Sequence, residues 1–200
     1  ATHQALEDIA LMRSIPNMVV INPADAVEAR AAVEAAILHD GPVYLRFGRL
    51  AVPVINAEDT YQFELGKGVT LRQGADVTLV ATGLLVPEAL EAAQLLNREG
   101  IDARVINIHT IKPIDRDILV KAAKETGAVV TAEEHNIIGG LGSAVAEVLS
   151  EECPVYMARV GTQDRFGKSG KPAVLLEEYG LTAAHIAEQA RLVINKKANA

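Results

Sequence analysis

The sequence predicts an α/β fold: a mostly parallel sheet with helices on both faces, preceded by an incomplete α/β fragment. Three observations carry that expectation. Short runs of β-branched and aliphatic residues, such as Met18 to Ile21, Asp76 to Ala81 and Ala103 to Ile108, alternate with longer amphipathic stretches. Of the 200 residues 50% are hydrophobic, yet aromatics make up only 4% and Trp is absent, so Ala, Val, Leu and Ile must fill the core. Most informative is Ala128 to Leu149. There an apolar run passes through Gly139-Gly140-Leu141-Gly142-Ser143 into an apolar stripe at Leu141, Ala144, Val145, Val148 and Leu149. Strand, glycine turn and helix in that order form the repeating unit of a parallel α/β sheet.

The elements follow in order. Thr2 is placed to cap a helix with apolar positions Leu6, Ile9, Ala10 and Met12, which Pro16-Asn17 ends. Met18 to Ile21 reads as a strand. Asn22 and Pro23 read as cap and first residue of an Ala-rich helix running to about Leu38 and closed by Gly41-Pro42. Val43 to Phe47 reads as the next strand. Periodicity fails from Leu50 to Lys67, and Pro53, Asn56 and Asp59 mark this stretch as a crossing between two domains, residues 1–60 and 61–200. Beyond it, Gly68 to Leu71 reads as an edge strand and Asp76 to Ala81 as a buried one. A helix from Val86 to Arg98 has Gly100 just past its end. The strand Ala103 to Ile108, a helix from Arg116 to Thr126 and the strand Ala128 to Ala132 come next, then the glycine turn and its helix. Val155 to Val160 reads as a strand, residues 161–171 as a polar Gly-rich loop, and Ala173 to Tyr179 and Thr182 to Asn195 as two closing helices. The later stretch holds a complete βα set. The first holds too few strands to cover both faces of a sheet, so Leu6, Ile9, Val19, Ile21, Val33 and Ile37 need something else to pack on.

Composition removes several function classes. The formal net charge is −7 with no basic run, which argues against a nucleic-acid surface. No apolar stretch approaches the roughly 20 residues of a membrane span. The single Cys153 has no internal disulfide partner, no Cys/His cluster has metal-ligand spacing, and a reducing cytoplasm is the expected setting. Residues 1–14 are polar and helical in pattern, unlike a secretory leader.

Several residues are candidates for chemistry. His3 at a helix start is biased toward a neutral ring able to donate or accept, and it also reads as a surface histidine near a terminus. Arg46 and Arg49 lie at a strand end, where α/β proteins place ligands, and their guanidinium forks suit a phosphate or carboxylate or a pairing with the acidic linker. Glu133, Glu134 and His135 beyond a strand end read either as an acid/base group or as a solvated loop or subunit contact. The Gly139–Ser143 turn reads either as an anion site at a helix N-terminus or as a structural turn. Its spacing matches neither the dinucleotide fingerprint nor a P-loop. Asp164, Arg165 and Lys168 have mixed sign, as loop-stabilising pairs do, and no nucleophile elbow is present.

Taken together, several stretches resemble the C-terminal part of transketolase. Thr2-His3-Gln4 resembles the end of that family's D-G-x-T-H-Q segment, and Pro16-Asn17-Met18 and Pro23-Ala24-Asp25-x-x-Glu28 resemble two further segments. Asp40-Gly41-Pro42 leading to Arg49 resembles the stretch ending in the family's phosphate-binding arginine. Glu134-His135-Asn136, the Gly139–Ser143 turn, Asp164-x-Phe166-Gly167-x-Ser169-Gly170 and the Leu175-to-Thr182 run resemble its last domain.

The resemblance implies that residues 1–60 are the tail of a pyrimidine-binding domain and 61–200 a transketolase C-terminal domain. It implies transfer of a two-carbon ketol unit between phosphorylated sugars of the pentose phosphate pathway, using thiamine diphosphate and magnesium. The active sites would lie in a dimer, with no nucleic-acid or membrane partner. It assigns His3 to the donor sugar beside the reacting carbon and Arg49 to the sugar phosphate, while Arg46 has no clear counterpart. The family's G-D-G metal motif and its activating glutamate are not in this sequence, so the cofactor would be bound mainly by a partner subunit or domain, and the chain alone is expected to be inactive. Asn22 stands where longer members carry arginine, which points to the shorter, split transketolases. The deoxyxylulose-phosphate synthases and the beta subunits of 2-oxoacid dehydrogenases share the domain plan, and a non-catalytic α/β binding or assembly module is the reading from a different class.

Overall fold

The computed structural model describes residues 5–199. Its elements are α1 (Asp8–Ser14), β1 (Val19–Ile21), α2 (Ala26–Leu38), β2 (Val43–Leu45), β3 (Val69–Arg72), β4 (Val77–Ala81), α3 (Leu85–Arg98), β5 (Ala103–Asn107), β6 (Thr110–Lys112), α4 (Arg116–Thr126), β7 (Ala128–Asn136), α5 (Leu141–Glu152), β8 (Tyr156–Thr162), α6 (Pro172–Glu178) and α7 (Ala183–Ala198).

Five strands form the main sheet in the order β3-β5-β4-β7-β8. β4 pairs in parallel with β5 and β7, β7 in parallel with β8, and only the edge strand β3 runs antiparallel. Side chains of α3 and α7 pack with one face of this sheet, and those of α4 and α5 with the other. The expected fold class holds. Because β4 sends its crossover to one face and β7 receives its own from the other, the sheet has a switch point between these strands, where open α/β sheets form a crevice at the carboxyl ends.

In this chain the N-terminal segment fills that crevice. Leu6 O accepts the Asn136 N–H (2.7 Å), Asn22 N–H donates to His109 O (2.8 Å), and the Thr82 hydroxyl donates to Asn22 O (3.2 Å). Gly83 lies beneath Asn22 with φ +56°, and a Cβ there would come within 2.6 Å of the Asn22 amide, so only glycine lets the two segments approach. Ile9 and Val20 share one cluster with Val80, Ile106, Leu141 and Val145, so the two expected segments have a common core.

The missing strand partner comes from the later half. β6, for which the sequence gives no strand signal, pairs antiparallel with β1, while β2 pairs with β1 in parallel. Three residues are too few to show an alternation, which is why β6 is not legible. Its Lys112 ammonium also donates to Arg13 O (2.8 Å) and Ile15 O (2.6 Å), closing the α1 end with a cation. Ile9, Val19 and Ile21 are thereby buried, whereas Ile37 stays 76% exposed on α2.

Asp25, not Asn22, caps α2. Its Oδ1 accepts the Glu28 N–H at 2.9 Å, and its Oδ2 accepts the N–H groups of Ile55 and Asn56, each at 2.8 Å. Burial would raise this carboxyl, but those donors and the Asn56 amide hold it below the usual aspartate range. Glu28, fully buried, accepts from Ala24 N–H (2.6 Å), the Asn107 amide (2.8 Å) and the Tyr61 hydroxyl. Burial pushes its carboxyl upward. The stretch without periodicity is therefore fastened to α2, with Phe63 and Leu65 packed against Val19, Ile21 and Ala32.

Candidate functional site

A cleft of ≈ 1110 Å³ lies between the turn after β2 and the wall formed by α6. Arg46, Phe47, Gly48, Arg49 and Leu50 line one side. Leu175, Leu176 and Tyr179 line the other, and Ala5, Leu6 and Asp8 reach it from the start of α1. Arg49 is exposed here. His3 lies outside the described residues. Its expected neighbours in sequence, Ala5 and Leu6, line this cleft, as does Arg49.

Arg46 has a different role from the one its position suggests. Its Nε donates to Asp8 Oδ2 (3.0 Å), Nη1 to Glu134 Oε2 (3.1 Å) and Nη2 to Ala5 O (3.1 Å). The Tyr44 hydroxyl donates to the same Asp8 oxygen at 2.7 Å. Burial opposes the Arg46 charge, but the Asp8 and Glu134 carboxylates outweigh it and raise its pKa above the ordinary guanidinium value. Burial together with Asp8 pushes the Tyr44 phenol up to about 12, so it stays a donor. Arg46 is thus engaged by the protein itself, through Asp8 and Glu134 and not through the acidic linker.

The three residues after the apolar part of β7 also separate. The strand continues through Asn136, where the sequence shows a polar turn. Glu133 points inward and accepts the Leu141 N–H (2.6 Å) and Gly142 N–H (2.8 Å), the free donors at the N-terminus of α5. Burial pushes its carboxyl up to about 7, against those donors and the charges of Arg13 and Arg46. A Cβ on Gly140 would run into Glu133 Oε2, and one on Gly142 would lie 2.8 Å from Thr131 Oγ1. The glycine turn is therefore structural: the anion at this helix start is the protein's own. Nδ1 of His135 donates to Asn136 O (2.7 Å) and its Nε2 accepts the Ala10 N–H (3.3 Å), a neutral ring. Burial lowers the His135 pKa in the same sense. Arg13 completes this seam, donating to Gly139 O (2.6 Å) and Glu147 Oε2 (2.6 Å). Glu133 and His135 are sealed behind α1, and Glu134 alone faces the cleft.

In the later loop Lys168 pairs with Glu178, the Asn136 amide donates to Asp164 (3.2 Å) and the Tyr179 hydroxyl donates to Phe166 O (2.9 Å), in keeping with loop-stabilising contacts. The sequence reading missed Asp8, Tyr44 and the α6 wall. A carboxylate in the first turn of a helix reads as a dipole partner, and nothing in the spacing announces a guanidinium far along the chain.

The described residues do not fit a metal-bound diphosphate. No group of three or more His, Cys, Asp or Glu among them is placed to hold a metal ion, and the buried carboxylates of Asp25, Glu28 and Glu133 accept from internal donors. Nor, among these residues, is any helix long and apolar enough to cross a membrane.

Comparison with known proteins follows the same outline. Residues 66–186 match the transketolase C-terminal domain and residues 1–54 the transketolase pyrimidine-binding domain. A 6-deoxy-6-sulfo-D-fructose transketolase subunit of Clostridium sp. (strain MSTE9) is 48% identical over 98% of this chain and 61% of its own length. A putative transketolase C-terminal section of Methanocaldococcus jannaschii is 47% identical over 94% of this chain and 60% of its own length. A 1-deoxy-D-xylulose-5-phosphate synthase of Heliobacterium modesticaldum is 43% identical over 95% of this chain and 30% of its own length. Among solved structures, a split-gene transketolase described as an inactive beta4 tetramer superposes with a TM-score of 0.94 at 54% identity, covering 98% of this chain and 64% of that one. The chain spans about three fifths of the length of the first two of these relatives. It belongs to the transketolase family, matching that family's pyrimidine-binding and C-terminal domains.

Proposed function

We propose that this chain contributes the substrate-phosphate side of a transketolase active site. A partner subunit or domain would complete that site by holding thiamine diphosphate and magnesium, within a cytoplasmic homo-oligomer at least dimeric. The reaction is transfer of a two-carbon ketol unit between phosphorylated sugars, as in the pentose phosphate pathway. The observation that carries the reading is the placement of Arg49 on an open cleft at the carboxyl end of β2, beside the Ala5–Leu6 stretch that follows His3 in sequence.

Arg49 binds the anionic end of the sugar through charge-assisted hydrogen bonds, and His3 contacts the reacting end of the donor. A phosphate and a sulfonate present similar tetrahedral oxyanions, so Arg49 reads the end group and leaves the choice of sugar to other residues. When bound, the thiazolium cofactor supplies the carbon nucleophile. This chain's part is to hold and orient the sugar against it.

In the assembled enzyme Arg49→Ala should raise KM for phosphorylated donors by roughly 10- to 100-fold, the loss of about 1.5–3 kcal/mol, and leave a non-phosphorylated donor unaffected. His3→Ala should lower kcat instead. Equal losses of Arg49→Ala on both kinds of donor remove Arg49 from the phosphate role. The chain alone should show no micromolar binding of thiamine diphosphate with magnesium by calorimetry. The similarity to a deoxyxylulose-phosphate synthase supports a second reading. Formation of 1-deoxy-D-xylulose 5-phosphate in place of ketol exchange would move the chain to that branch.

A further inference from the structure

The five-stranded sheet reaches the cleft wall through one buried ionic junction. Arg46 binds three groups from two distant parts of the chain: Ala5 O and Asp8 at the start of α1, and Glu134 near the end of β7. Tyr44, on β2, ties the same Asp8 oxygen back to the strand that leads into the Arg49 turn. The side chains of Arg46 and Asp8 are 11% exposed, so their charges are largely removed from water. A buried charge whose partner is lost pays for its desolvation without return, so such a junction holds its geometry firmly. The two segments it joins are those assigned to the substrate: the one following His3 and the turn carrying Arg49.

We infer that Arg46, anchored by Glu134, is a positioning residue that holds the segment after His3 and the Arg49 turn in fixed register across the cleft. This rests on the reading of the cleft given above. It gives the C-terminal domain a defined part in the reaction. Through its ion pair with Arg46, Glu134 sets where the Arg49 turn sits relative to the donor's reacting end. A brace that served only stability would change melting and leave kinetic constants per active site alone.

The test uses the assembled, cofactor-loaded enzyme, with rates normalised to bound cofactor. Glu134→Gln keeps the shape and removes the charge, Glu134→Asp keeps the charge, and Arg49→Ala is the control for the underlying reading. Glu134→Gln should raise KM for a phosphorylated donor and lower kcat, cutting kcat/KM about tenfold. Amide exchange in residues 5–8 and 46–50 should quicken, and Glu134→Asp should recover part of both effects. A lowered melting temperature with unchanged kcat and KM, or unchanged exchange in those two segments, overturns the inference while the Arg49 reading stands. If Arg49→Ala itself leaves KM for phosphorylated donors unchanged, the reading of the cleft fails and the inference falls with it.

Discussion

The carboxyl ends of β7 and β2 each hold the means to bind an anion, and the chain uses them in opposite ways. At β7, two free N–H groups of α5 meet the carboxylate of Glu133, delivered by the strand itself and sealed by α1. At β2, the two arginines divide the work: Arg46 is held by Asp8 and Glu134, while Arg49 lies exposed on a cleft of ≈ 1110 Å³. A helix N-terminus or a guanidinium does not make a ligand site by itself. At β7 the helix start already holds Glu133, and at β2 Arg46 is buried in its ion pairs while Arg49 lies on the cleft surface.

The largest expected effect breaks the closed end. Gly140→Ala would force Glu133 off the α5 N-terminus, leaving two buried donors and a buried carboxyl without partners. Chemical denaturation should show a loss of about 3 kcal/mol or more. A loss below about 1 kcal/mol would mean that the turn adapts and that Glu133 is not the fixed anion of this helix.

A smaller effect tests how completely the chain buries His109, just past the carboxyl end of β5. His109 is fully buried, with Phe63 4.3 Å away ring to ring, and burial lowers its pKa to about 4 even though Asp115 opposes this. Between that value and the unfolded value near 6.5, the unfolded chain takes up a proton that the folded one refuses. The stability present above pH 6.5 is therefore lost as pH falls toward 4, at up to about 1.4 kcal/mol per unit. Going from pH 7 to 5, the wild type should lose about 2 kcal/mol more than His109→Gln, a difference from which groups common to both chains cancel. Parallel pH profiles would show that water reaches the ring.

The smallest effect contrasts an exposed cation with the buried one. Arg30 pairs with Glu58 at 2.7 Å, but both side chains are about two-thirds exposed or more (72% and 67%). Arg30→Ala should change unfolding free energy by no more than about 0.5 kcal/mol in the same denaturation assay. A loss of several kcal/mol would mean that the linker depends on this surface pair and not on Asp25.

Most of the fold was legible because its signals are local. The stripe on α5, Gly127 after α4 at φ +64° and the all-buried runs of β4 and β5 are written into adjacent residues. β6 was not, since a three-residue strand carries no period and its partner β1 lies about ninety residues earlier. The cap of α2 was misplaced because Asn22 and Asp25 are both good caps; Asp25 takes the Glu28 N–H, and the N–H groups of Ile55 and Asn56 hold its other oxygen. At the site, Arg49 is singled out only by its resemblance to a known motif, and what the structure adds is its place on the cleft. The division of labour between Arg46 and Arg49 depends on Asp8 and Glu134, which spacing along the chain does not reveal.

The most direct test of the contrast between the two strand ends is a crystal structure of the assembled enzyme with a sugar phosphate bound. The account predicts the phosphate beside Arg49 in the cleft, with Glu133 still on the Leu141 and Gly142 N–H groups. A phosphate seated on the α5 N-terminus with Glu133 displaced, or a sugar bound with its phosphate away from Arg49, would contradict it.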